Sequence, residues 1–107
     1  MIAKKFKLPI QNFVGQSGKV IRNPHFTIKV FTTNNNFSRF GLVISKKVDA
    51  SAVKRNRLKR LAFDLIQKIA EKLPVNDYLI FFSPSAGKLN EDQFIREIKN
   101  IFNQTIS

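Results

Sequence analysis

The chain has 107 residues, 43% of them hydrophobic, which is enough for one buried core and too few for two domains. It has no cysteine, which excludes a disulfide framework, a zinc ribbon and a thiol nucleophile, and no apolar run near the ~20 residues of a membrane span. The formal net charge is +12 and it is segregated: fourteen of the 19 basic residues fall within residues 1–60 beside one acid, Asp49, while residues 61–107 hold the other five and six acids. Such a field attracts a polyanion, and nucleic acid ranks ahead of an anionic membrane because no amphipathic membrane helix is read. The basic start, M-I-A-K-K-F-K, is not followed by a long apolar stretch, so it does not read as a signal peptide. The expectation is a single cytoplasmic nucleic-acid-binding domain over residues 1–107, with no membrane and no small-molecule cofactor as partner.

In chain order, residues 1–8 read as a flexible basic arm. Pro9 to Val14 reads as a short helix or turn with one large apolar residue, Phe13, and Gly15 to Gly18 as a breaker. Lys19 to Thr33 is extended, interrupted at Asn23-Pro24, since proline cannot donate to a strand ladder. Beyond the interruption Phe26, Ile28 and Val30 alternate with Thr27, Lys29 and Phe31. The first set is the expected core face. The second mixes a hydroxyl, a cation and an aromatic, a face able to stack and hydrogen-bond single-stranded nucleotides. Asn34-Asn35-Asn36 is a turn, and Ser38 to Ser45 is expected to run back antiparallel to the previous strand.

Asp49 or Ser51 can cap a helix expected from Ser51 to Leu73, where Pro74 stops it. Its apolar stripe is Leu58, Leu61, Ala62, Leu65, Ile69 and Leu73; Phe63 falls off it. Asn76 to Ser83, with its Y-L-I-F-F centre, reads as a strand covered on both faces. Asn90-x-x-Gln93 resembles a capping box opening a last helix with Phe94, Ile98, Ile101 and Phe102 inside.

The acids form no recognisable metal-binding spacing, and the one histidine, His25, stands beside Pro24 where a structural role is expected. No phosphate-loop or nucleophile motif is present. The strong signal is the stretch S-K-K-V-D-A-S-A-V-K-R-N-R-L-K-R, in which a strand end and a helix start carry Lys46, Lys47, Lys54, Arg55, Arg57, Lys59 and Arg60 against the single acid Asp49. Helix N-terminal amides favour phosphate, and arginine adds bidentate donors.

That stretch closely resembles the protein subunit of bacterial ribonuclease P. The family carries an S-K-K strand end followed by the RNR helix, here Ala52-Val53-Lys54-Arg55-Asn56-Arg57-Leu58-Lys59-Arg60. The D-Y-hydrophobic strand at Asp77 to Phe82, the Pro-x-Ala at Pro84 to Ala86 and Ile101-Phe102 agree with it. The resemblance implies an α+β two-layer sandwich of order αβββαβα. Its small mixed sheet has helices on one face, and the crossover around the motif helix is left-handed where general handedness rules give right-handed. It implies the task of a ribonucleoprotein subunit that assists a catalytic RNA in removing the 5′ leader of precursor tRNA. Magnesium is then held mainly by the RNA, and the protein alone is inactive.

Carried over by position, Lys46, Lys47, Lys54, Arg55, Asn56, Arg57, Lys59 and Arg60 face RNA, while Phe13, Thr27 and Lys29 line a leader-binding cleft; Phe31 joins them by strand alternation alone. The chain departs from the family pattern in a shorter stretch between Phe13 and the first strand, the lack of a second N-terminal aromatic, a loop Val48-Asp49-Ala50-Ser51 without glycine, and Leu61-Ala62-Phe63-Asp64 in place of a further arginine and acid. The competing reading is a non-enzymatic RNA-binding or ribosome-associated module. DNA binding through the basic helix is weaker, because a recognition helix needs a second helix to form its motif.

Overall fold

The computed structural model describes residues 7–9 and 18–106. They form β1 (Lys19–Arg22), β2 (Phe26–Phe31), β3 (Arg39–Val43), α1 (Ala52–Ile69), β4 (Asp77–Phe82) and α2 (Glu91–Ile106), with short 3-10 segments at Ala70–Lys72 and Pro84–Lys88. The arm up to residue 6, and all but Pro9 of the element expected over Pro9 to Val14, lie outside the described residues; Phe13 is among them.

The burial demand of β4 sets the topology. Its apolar side chains project to both faces, which is stable only where both faces are covered and both edges are paired. It lies inside the sheet, whose order is β1-β2-β4-β3, antiparallel to β2 and parallel to β3. The expected pairing of β2 with β3 across the asparagine turn therefore does not form. β3 does run opposite to β2, but β4 lies between them and residues 32–38 carry the chain past it. The outer edge of β3 is met by residues 7–9: Lys7 bridges Phe40 in parallel, and the Leu8 amide donates to the Phe40 carbonyl at 2.9 Å.

Both helices cover one face. Phe26, Ile28, Phe40, Leu42, Tyr78, Ile80 and Phe82 of the sheet meet Ala62, Leu65 and Ile66 of α1 and Phe94, Ile98, Ile101 and Phe102 of α2. Phe26 meets Phe82 and Phe94 edge-on, with ring centroids 5.0 and 5.5 Å apart, and Phe40 stacks on Tyr78 at 5.3 Å. Burial pushes the Tyr78 phenol above its ordinary pKa, and its hydroxyl donates to the Pro74 carbonyl.

Of the expected stripe, Ala62, Leu65 and Leu73 are buried and Leu58, Leu61 and Ile69 partly so; Ile66 joins them fully buried, on the far side of Ala62 from Leu65 on a 3.6-residue wheel. Phe63 is half-buried at the core margin under the Lys7 ammonium, 5.9 Å from its ring centroid. The α-helix stops at Ile69 rather than Leu73. Pro74 disfavours helical backbone at Leu73, which is extended (φ −90°, ψ 145°), and the intervening turn tightens to 3-10. α2 opens on the expected reciprocal box: the Gln93 amide donates to Asn90 Oδ1 at 2.8 Å, and the Asn90 amide to Gln93 Oε1 at 3.0 Å.

Asp77 is the one buried charged residue among those described. It opens β4 directly opposite Arg39, which opens β3. The guanidinium grips both carboxylate oxygens, Nε to Oδ1 at 3.0 Å and Nη2 to Oδ2 at 2.9 Å. The hydrogen bonding to Asp77 holds Arg39 above its ordinary pKa. Asp77→Ala is expected to lower the unfolding free energy by about 3 kcal/mol, because it leaves Arg39 partly desolvated without its counter-ion. Urea titration measures this, and a loss below about 0.5 kcal/mol would show that the pair adds little to stability.

Candidate nucleic-acid interface

The basic loop is folded by its own polar side chains. After β3, the Val48 amide donates to the Ser45 carbonyl at 3.0 Å and the Lys47 amide to Ser45 Oγ at 3.3 Å. The tight turn leaves Lys46 and Lys47 exposed and turns Val48 into the core. Gly87, in the Pro84–Lys88 segment, packs against Val48 so closely that a Cβ on it would stand 2.0 Å from the Val48 carbonyl oxygen. Asp49 Oδ1 accepts the Ser51 amide at 2.9 Å, and Ser51 is the helix cap, its Oγ accepting the Lys54 amide at 3.3 Å. With these side chains directing the backbone, the loop folds without a glycine.

The eight RNA-facing candidates divide by contact. Arg55 is half-buried, and its Nη1 donates to the carbonyls of Asp49 (2.8 Å) and Ala50 (3.0 Å), so it ties the helix back onto the loop before it. Lys46, Lys47, Lys54, Asn56, Arg57 and Arg60 are exposed, and Lys59 is half-buried on the flank away from α2. Arg57 Nη2 lies 3.6 Å from Glu91 Oε2, a loose and exposed pair that contributes little. The first turn of α1 carries no acid. The helix dipole favours anions at that end, so cations there cost some helix stability and leave the positive end open to a phosphate.

The other sheet face is less open than the sequence implied. Strand register sets Arg22, Thr27, Phe81 and Val43 in one row across four strands, and Val20, Lys29, Leu79 and Gly41 in the next. Thr27 and Lys29 lie there half-buried, as expected. Phe31 does not belong to an accessible cleft surface: it is buried with Leu8 and Leu79 in a second, smaller apolar cluster. Leu79 projects to this face from β4 and packs with Phe31 and Leu8, which single-strand alternation could not reveal. The half-buried aromatic on the face is Phe81, with the Lys29 ammonium 5.5 Å from its ring centroid. The Y-L-I-F-F run made Phe81 look like core; only pairing with Thr27 and Val43 identifies it, and exposed Arg22 with it. The row spans three strand spacings, about 14 Å, and ends two residues before the basic loop.

His25 has a structural place. His25 Nδ1 pairs with Ser85 Oγ at 2.8 Å, and Ser85 Oγ donates to the Pro24 carbonyl at 3.1 Å, tying the β1–β2 turn to the Pro84–Lys88 segment. Among the described residues no group of three His, Cys, Asp or Glu could hold a metal ion, and no helix is long and apolar enough to cross a membrane.

The family model described as Ribonuclease P matches residues 9–105. A ribonuclease P protein component of Vibrio vulnificus is 35% identical over 74 residues, 69% of this chain; the match covers 63% of the relative's length, less than two thirds. The component from Synechocystis is 33% identical over 93 residues, 85% of this chain and 75% of that relative. Among solved structures, a mutant form of the Staphylococcus aureus RNase P protein superposes with a TM-score of 0.84 at 18% identity, over 94% of this chain and 88% of that one, a likeness of fold.

Two arginines five residues apart on α1 are therefore expected to behave differently. Arg55→Ala should cost about 1 kcal/mol of stability through its lost carbonyl hydrogen bonds. Arg60→Ala should stay within about 0.5 kcal/mol, as an exposed substitution does. Urea titration of both checks this, and equal losses would refute the tether. Gly87→Ala should cost about 2 kcal/mol by overpacking and shift the amide resonances of Lys46 to Ala50; unmoved resonances would show that the loop does not depend on that contact.

Proposed function

The chain belongs to the family of ribonuclease P proteins, and from that premise we propose that it is the protein component of a ribonuclease P, assisting a catalytic RNA in cutting the 5′ leader from precursor tRNA. The observation that carries the reading is the run from Lys46 to Arg60. Its seven cations share one corner of the domain with the start of a helix that has no acid in its first turn, held in place by Ser51 and Arg55.

In this reading the exposed members of that run take phosphates of the RNA subunit, arginines in bidentate fashion and lysines as point charges. The row Arg22, Thr27, Phe81 and Val43, with Lys29 beside it, takes the single-stranded leader: cations for phosphates, the hydroxyl and the aromatic ring for bases. Mature tRNA has no leader to occupy that row, so the precursor gains contacts the product lacks, and affinity favours the substrate. Hydrolysis belongs to magnesium ions held by the RNA. The protein assists by neutralising phosphate repulsion where RNA subunit and substrate converge, which lowers the magnesium concentration the complex requires.

The test is cleavage of a precursor tRNA by the RNA subunit from the same genome, with and without the protein, at low magnesium. Stimulation is expected with the protein, and no cleavage by the protein alone; cleavage that persists without any RNA subunit would overturn the proposal. Arg57→Ala and Arg60→Ala are each expected to weaken RNA binding and reduce the slope of log affinity against log salt by about one unit. An unchanged slope in both would make that flank an ordinary solvated surface.

A further inference from the structure

A groove between the N-terminal ends of the two helices is not used by that reading, although two of its rim cations, Lys54 and Arg57, belong to the basic run. It encloses about 220 Å³. Leu58, Leu61 and Leu89 form its floor, and its rim carries Lys54 and Arg57 on α1, Asp49 in the loop and Glu91 at the start of α2. The volume is below that of a site for a whole drug-sized ligand, and suits one planar group with its polar attachments left at the rim.

We propose that this groove takes a single unstacked guanosine nucleotide of an RNA strand. The apolar floor desolvates the flat face of a base, and the two cations on α1 offer a place for the adjoining phosphate. The carboxylates decide which base. An ionised carboxylate only accepts hydrogen bonds. Guanine is the RNA base with two neighbouring donors on its pairing edge, N1–H and N2–H, matched to the two oxygens of one carboxylate. Adenine and cytosine set an acceptor beside their single amino group, and uracil flanks its one N–H with two carbonyls, so each turns a lone pair toward the carboxylate.

Glu91 is the reader. Asp49 already spends Oδ1 on the Ser51 amide. Glu91 is exposed and held only loosely, by Arg57 at 3.6 Å. Turning Arg57 from Glu91 to the incoming phosphate breaks little and frees the carboxylate for the base. The groove lies on the α2 flank of the basic helix, whereas the Thr27–Phe81 row lies on the sheet face turned away from both helices, so the two would grip different nucleotides. The inference rests on the RNA-binding part of the proposed function and is indifferent to which RNA is bound.

The test titrates the trinucleotides UGU, UAU, UCU and UUU, and free GMP, into isotope-labelled full-length chain while amide resonances are followed. UGU is expected to bind about tenfold more tightly than the other three, the discrimination of one bidentate base contact, with shifts centred on Leu61, Gly87 and Leu89. Glu91→Gln should remove that preference while leaving UUU binding as it was, and GMP should bind more weakly than UGU. Equal binding of the four trinucleotides, shifts confined to Thr27, Lys29 and Phe81, or a guanine preference that survives Glu91→Gln would each overturn the proposal. GMP binding as tightly as UGU would overturn the RNA-strand form in favour of a free nucleotide. None of these failures touches precursor cleavage in the reconstituted enzyme, which tests the family function separately.

Discussion

The structure depends on the double-sided burial of β4. Tyr78, Ile80 and Phe82 face the helices while Leu79 and Phe81 face the other way, so no edge position could satisfy the strand. Once β4 lies between β2 and β3, the chain leaving β3 must cross the helical layer to return beside it in parallel. That crossing is α1 and the loop before it. The β3–β4 pair is fixed at both ends: Arg39 grips Asp77 where the two strands begin, and Val48 packs on Gly87 just beyond where they finish. The basic loop thus hangs from a strand pair fixed at both ends, and the proposed phosphate-binding surface gains the fixed geometry that specificity requires.

The cations at the start of α1 oppose the helix that displays them. An isolated helix prefers acids there by several tenths of a kcal/mol per charge. The sequence offsets this with local polar chemistry. Ser51 caps one free amide, Asp49 organises the turn, and Arg55 turns inward onto two carbonyls. Its neighbours Asn56, Arg57 and Arg60 stay exposed. The RNR motif is therefore not uniform: its first arginine shapes the platform and the others project from it.

The second sheet face follows the same division. Phe31 and Phe81 both point to it, yet one is buried beneath Leu8 and beside Leu79, and the other lies half-covered under the Lys29 ammonium. Neighbouring strands and the residue 7–9 segment decide which ring a nucleotide could reach. A lysine seated over an aromatic ring keeps a positive charge beside a flat apolar face.

What the sequence determined by itself was local and periodic. The alternation of β2 and β3, the 3.6-residue stripe of α1, the Ser51 cap, the Asn90–Gln93 box and the segregation of charge into the first sixty residues are properties of neighbours along the chain. Local sterics and hydrogen bonding enforce them before any tertiary contact forms. The RNR stretch was legible for the same reason, since its residues follow one another on a single loop and helix. The tertiary structure alone decided the place of β4 between β2 and β3, the pairing of Arg39 with Asp77, the burial of Phe31 and half-exposure of Phe81, and the inward turn of Arg55. Each depends on which strands become neighbours, and that is settled by competition among apolar faces for burial. A single strand's alternation names its two faces but does not say what will cover them.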